Sequence, residues 1–215
     1  VTRAVFEAYP EAAREKDGRG YLPLHWALSK NASDEVTRAV LEAYPEAAGE
    51  ESSTGYLPLY SALLKGASSD VILALLAAHT DAVRQKDRDG NLPLHWALRN
   101  SASSEVVVVL LRAYPEAARE TDLAGFLPLH SALRDHAPTE VVMTLLETHP
   151  GAVRQMSNDR YLPLYWALIN EAPSELVVAV LHAYPEAARQ RSTSGHLPLL
   201  SALLHGASCE VVVAM

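Results

Sequence analysis

The sequence predicts an all-α solenoid of stacked helix-turn-helix units joined by polar loops, and three observations carry that prediction. The tripeptide Leu-Pro-Leu recurs with its proline at Pro23, Pro58, Pro93, Pro128, Pro163 and Pro198, every interval being 35 residues. An Ala-Leu pair follows at a constant distance, from Ala27-Leu28 in the first copy to Ala202-Leu203 in the sixth. The 49% hydrophobic residues are spread along 215 positions without a composition shift. The chain therefore reads as one repeat array over residues 1–215, in which each unit is stabilised by lying against its neighbours.

The first element of each unit opens at the proline, whose fixed φ and missing N–H suit the first helical turn. In the first copy Leu24, Ala27, Leu28 and Ala32 follow at helical spacing and form one apolar face. The second element starts at a column of short polar residues, Asp34, Ser69, Ser104, Thr139 and Ser174, with Cys209 as the exception. These read as N-caps. The next column is acidic throughout, from Glu35 to Glu210, where negative charge meets the positive end of the helix dipole. An apolar stripe (Val36, Val40, Leu41; Val106, Leu110, Leu111) runs to Tyr44 or Tyr114, and Pro45 and Pro115 then end the helix. Those prolines open a short turn whose alanines, such as Ala12, Ala47 and Ala82, are small enough to tuck against the stack. A polar loop closes the unit on a glycine able to take positive φ, except in the fifth copy, where Arg160 predicts an altered turn.

At this point the motifs carry a family resemblance. Leu-Pro-Leu-His-Trp-Ala at Leu22–Ala27 and Leu92–Ala97, with Leu-Pro-Leu-His-Ser-Ala at Leu127–Ala132, resembles the Thr-Pro-Leu-His-x-Ala signature of ankyrin repeats. Asp87-Arg88-Asp89-Gly90 is similar to the turn of that family, and Glu105-Val106-Val107 with Leu110-Leu111 to its second helix. There are three departures. The threonine is leucine in all six copies, so its hydrogen bond is lost. The histidine survives only as His25, His95 and His130, with Tyr60, Tyr165 and Leu200 in the other copies. Tyr-Pro-Glu-Ala-Ala replaces the usual Gly-Ala-Asp. The resemblance implies an ankyrin-like solenoid acting as a protein-protein interaction scaffold, which presents first-helix residues and loop tips to a protein partner.

Composition narrows the function classes. With 18 Lys+Arg against 26 Asp+Glu the formal charge is −8, and basic residues are interleaved with acidic ones, so no basic footprint for nucleic acid is present. The longest apolar run is about ten residues, too short to insert in a bilayer. One cysteine, Cys209, excludes an intrachain disulfide framework and fits an intracellular, cytoplasmic setting. Histidines in one repeat column stand about 8–10 Å apart, whereas zinc takes ligands at about 2 Å, so no metal or cofactor is expected. Cys209 stands in a capping column without a positioned His–Asp pair, and the repeated carboxylates stand at helix starts. No catalytic set is legible, and the chain reads as a non-enzyme.

A longer period overlies the first. The residue after the motif His or Tyr alternates as Trp26, Ser61, Trp96, Ser131, Trp166, Ser201, which is a 70-residue superperiod. Trp26 lies about 200° around the helical wheel from Leu24, away from the apolar stripe. Two readings stand: the tryptophans line the concave face as binding hot spots, or they fill gaps against neighbouring units. The candidate contact surface is Trp26, Trp96 and Trp166 with loop residues Arg19, Arg88 and Asp89. At the termini, Val1 to Val5 matches Val36 to Val40 and Val211 to Met215 falls at the equivalent place, so both ends fall inside a helix of a longer array. Uncapped apolar ends support a rival reading, a structural rod assembled by end-to-end self-association.

Overall fold

The structure, a computed structural model, describes residues 9–215. The helical assignment of Val1 to Val5 lies outside them. Twelve α-helices are present among the described residues and no strand. The first helices are α1 (Pro23–Ser29), α3 (Pro58–Lys65), α5 (Pro93–Arg99), α7 (Pro128–Arg134), α9 (Pro163–Ile169) and α11 (Pro198–Leu204). The second helices are α2 (Asp34–Ala43), α4 (Ser69–Ala78), α6 (Ser104–Ala113), α8 (Thr139–Thr148), α10 (Ser174–Ala183) and α12 (Cys209–Ala214). Each of the five full second helices, α6 included, runs into a residue with ψ near +80°, and a 3-10 turn follows, as at Pro45–Gly49.

The chain divides into two compact bodies, Val1–Tyr114 and Pro115–Met215. In the first, α1 packs on α3 and α3 on α5, while α2 packs on α4 and α4 on α6. In the second, α7 packs on α9 and α9 on α11, with α8 on α10 and α10 on α12. The core of each body is therefore the same column repeated: Leu24, Leu59 and Leu94 in one, Leu129 and Leu164 in the other, all at most 1% exposed. The alanines of the 3-10 turns tuck in as expected at Ala47, Ala82, Ala117, Ala152 and Ala187. In the first copy it is Ala13 that is fully buried, while Ala12 is only half-buried.

Two expectations about the backbone are corrected. The N-cap of the second helix stands one residue earlier than the Asp34 column: Ser33, Ser68, Ser103 and Ser208 accept from the N–H of the third residue beyond them. Asp34 and its equivalents are the first helical residues, which places the acidic column on the second position of the turn. Pro138 and Pro173 occupy the cap position in the fourth and fifth copies and supply no side-chain acceptor. The second correction concerns Arg160. It takes φ +63 and keeps the turn of the other copies, its N–H donating to Ser157 O at 2.8 Å as that of Gly20 does to Asp17 O. Stacking on both sides holds the loop, and an L-residue is forced into the left-handed region at a cost of about 1–2 kcal/mol.

Candidate functional site

The first helices expose one face to the loops, and a hydrogen-bond frame links the two. Leucine before the proline has no polar side-chain atom, so the first-helix N-terminus is closed from the other side. His25 Nδ1 accepts from Leu22 N–H at 3.1 Å, and His95 and His130 do the same for Leu92 and Leu127 at 3.0 Å. The opposite ring nitrogen of His25 faces the carbonyl of Glu50, and that of His130 the carbonyl of Gln155, both at 3.0 Å. A ring that accepts at Nδ1 and donates at Nε2 is neutral. Burial accordingly lowers the His25 pKa from its usual value and takes His130 down to about 4. Tyr60 reaches the equivalent carbonyl, donating its hydroxyl to Gln85 O and lying 3.1 Å from Asn91 O. Burial, reinforced by Asp87, raises its pKa. The motif histidine is thus a strut between copies, and tyrosine can replace it because its hydroxyl reaches the same acceptor.

The tryptophans stand beside this frame. Trp26 is 37% exposed, and Trp96 and Trp166 are half-buried. Trp26 Nε1 donates to Asp17 Oδ2 at 2.9 Å and Trp96 Nε1 to Asp87 Oδ2 at 2.7 Å. The other oxygen of each carboxylate holds the loop: Asp17 Oδ1 accepts from the N–H groups of Arg19 and Tyr21, Asp87 Oδ1 from those of Asp89 and Asn91. Those backbone bonds, Tyr21 first, hold Asp17 below its ordinary pKa. One aspartate therefore fixes both the loop tip and the indole. Sequence reasoning missed Asp17 and Asp87, although an aspartate nine residues before each of the first two tryptophans was the available signal. In the fifth copy Ser157 occupies that position, and Trp166 Nε1 is buried without a hydrogen-bond partner.

Of the predicted loop residues, Arg19, Arg88 and Asp89 are all exposed. Arg88 leans back over the preceding loop, where a Cβ on Gly55 would stand 2.7 Å from Arg88 Nε. Arg19 and Arg88 stand two copies apart on equivalent turns, each beside the aspartate that holds a tryptophan.

Between the two tryptophans of the first body, the small side chain of Ser61 leaves an open groove of about 290 Å³. Tyr21, Tyr56, Tyr60 and Trp96 are its aromatic walls, with Leu64, Ser61 and Lys65 along α3. Tyr60 meets Trp96 edge-on at 6.5 Å between centroids, and Tyr21 lies against Trp26 at 5.5 Å. Lys30 sits 5.6 Å above the Trp26 ring and Arg99 5.7 Å above that of Trp96. Such a groove accepts large apolar side chains and offers hydroxyls and cations at its rim. Among the described residues no group of three or more His, Cys, Asp or Glu side chains is placed to hold a metal ion. Among them, too, no helix is long and apolar enough to cross a membrane.

Residues 24–120 match the family model for ankyrin repeats, in three copies. The columns that carry the match run on at the same 35-residue interval through Pro128, Pro163 and Pro198. No curated protein matches the chain.

Proposed function

We propose that this chain, which belongs to the ankyrin repeat family, is a recognition scaffold that engages a protein partner through its concave first-helix face and loop tips. Ankyrin repeats are protein-interaction modules. The observation that carries the reading for this chain is the groove at Ser61, walled by Tyr56, Tyr60 and Trp96 and left open by the alternation of Trp with Ser. Trp26, Trp96 and Trp166, with Arg19, Arg88 and Asp89, form its proposed contact set, and aromatic and arginine side chains are those most enriched among interface hot spots. The single thiol, Cys209, is free and exposed, which suits a reducing intracellular compartment.

Replacing Trp26, Trp96 and Trp166 together by serine is expected to preserve the helical circular dichroism and to abolish capture of the partner in affinity purification. Filling the groove by Ser61→Trp is expected to do the same. Unchanged capture by the Ser61→Trp chain sinks the reading, and unfolding of the triple variant assigns the indoles to the core.

A second reading, self-association into a rod, is favoured by the six copies of one motif at a constant 35-residue interval, since like repeats stack on like. Light scattering separates the two readings: a binder stays monomeric, whereas a rod former grows with concentration.

A further inference from the structure

We infer that the side chain taken by the Ser61 groove is a tryptophan of the partner, a flat neutral ring standing in for the indole that this column lacks in the second copy. The inference rests on the recognition reading above and adds the chemistry of what is recognised. The chain carries its own templates for the filled site. In the first copy the indole of Trp26 lies against Tyr21, with 5.5 Å between centroids, and in the fifth Trp166 meets Tyr161 edge-on at 5.8 Å. In the second copy Tyr56 holds the place of Tyr21, while Ser61 holds that of Trp26. The Tyr56 ring therefore has no indole from its own copy, and it borders the groove instead.

Serine alone does not open such a space. Ser131 occupies the same column in the fourth copy and is 1% exposed. There Arg134 lies over the Phe126 ring at 4.8 Å, clamped by two bonds to Asp135 at 2.8 and 2.7 Å. In the second copy Leu64 and Lys65 stand at those two positions, and Leu64, 50% exposed, supplies no flat group to the ring. The groups that cover this column of rings elsewhere in the chain are thus an indole and a guanidinium, both planar. The guanidinium depends on a carboxylate to hold it, and the lining of the Ser61 groove contains none. Lys65 is its one charged side chain, since His25 is held neutral, and Lys65 also borders a recess that Asp34 borders. Charge therefore selects neither an acid nor a base, and the neutral ring is the filler that remains. Its polar edge is provided for as well. Trp26 and Trp96 donate Nε1 to Asp17 and Asp87, and in the second copy that position is Ser52. The Ser52 and Thr54 hydroxyls, 2.8 Å apart, both border the groove and offer oxygen acceptors to an indole N–H. An aliphatic side chain buries comparable area without the ring–ring contacts, a difference of about three- to tenfold in affinity.

The test titrates the isotope-labelled whole chain with N-acetyl-tryptophanamide, N-acetyl-leucinamide and N-acetyl-argininamide, read by the backbone amide chemical shifts of Tyr56, Ser61, Leu64 and Trp96. The tryptophan amide is expected to bind about three- to tenfold more tightly than the leucine amide, and the arginine amide to be weakest. Tyr56→Leu is expected to bring the tryptophan and leucine amides level. Ser61→Trp, with its fold checked by the dispersion of the same spectrum, is expected to abolish the shifts from all three. Equal affinity for the tryptophan and leucine amides, with both lost in Ser61→Trp, overturns the tryptophan preference and leaves the groove as a binding site. Shifts that survive in a folded Ser61→Trp chain overturn the groove itself. If that variant fails to fold, Tyr56→Leu decides, and an unchanged preference for tryptophan there overturns the inference. Absence of any shift at these amides with the tryptophan amide overturns it too, while capture of the protein partner by the Ser61→Trp chain judges the recognition reading separately.

Discussion

The same repeat column is finished differently in the two bodies, and tyrosine shows it best. Tyr60 is buried, with its hydroxyl on the carbonyl of Gln85, and Trp96 of the following copy stands edge-on against it. Tyr165, in the equivalent position, is half-buried and stacks flat on Tyr161 at 4.2 Å, with a recess of only about 20 Å³ beside Gln190. The copy after Tyr165 offers Ser201 where Trp96 stands, so no indole presses the ring inward. The second body also lacks the serine cap at Pro138 and Pro173 and leaves Trp166 Nε1 unpartnered. The motif His and Tyr thus acquire their bond from the neighbouring copy. The caps and the indole partner, by contrast, are decided inside the copy, by the residue before the second helix and by the one nine positions before the tryptophan.

The largest expected effect sharpens this contrast at one column. Leu63 is 1% exposed and Leu203 60%. Leu63→Ala should cost about 2–5 kcal/mol of unfolding free energy in urea, and Leu203→Ala less than about 0.5 kcal/mol. Equal costs would break the comparison.

Acid comes next. His130 is neutral in the folded chain with its pKa lowered to about 4, against an ordinary 6.5. Because the unfolded chain binds the proton first, stability is complete above pH 6.5 and falls as pH drops through 6.5 toward 4. The full loss attached to this one group is on the order of 3 kcal/mol. His130→Leu, the residue that the sixth copy carries as Leu200, should flatten that part of the pH profile in chemical denaturation while lowering stability at pH 7.

A smaller effect should come from giving Trp166 the partner that its counterparts have. Ser157→Asp places a carboxylate where Asp17 and Asp87 stand, and is expected to stabilise the second body by about 1 kcal/mol. Slower amide hydrogen exchange around α9 would register it. The reverse change, Asp87→Ser, should loosen the loop at Asp89 and speed exchange there. Arg160→Gly is the mildest: relieving φ +63 should add about 1 kcal/mol, visible as a higher melting temperature.

Much of this fold was legible because its information is local and written six times. Proline at the first turn, the Ala-Leu pair and the Tyr-Pro stop place the helices to within a residue or so. The cap slipped by one position because Ser33 and Asp34, or Ser68 and Ser69, are adjacent acceptors, and only the dihedral angles say which lies outside the helix. Helical periodicity turns Trp26 away from Leu24, 37% exposed against 0%, yet its bond to Asp17 depends on how the loop folds back over α1. Periodicity places the histidines in one column, but their neutral state comes from an acceptor 25 residues downstream in the next copy, which stacking creates.

The sequence by itself determined the repeat length, the helix pair within each copy and which face of each helix is apolar, since these follow from periodicity and from the chemistry of proline and the caps. The tertiary structure alone decided which polar atoms meet: His25 with the Glu50 carbonyl, Trp96 with Asp87, Trp166 with nothing. It also decided where Ser61 opens a groove between aromatic walls. The physical reason is range. Helix formation is settled within a few residues, whereas a hydrogen bond or a cavity between copies exists only once segments dozens of positions apart are brought into register.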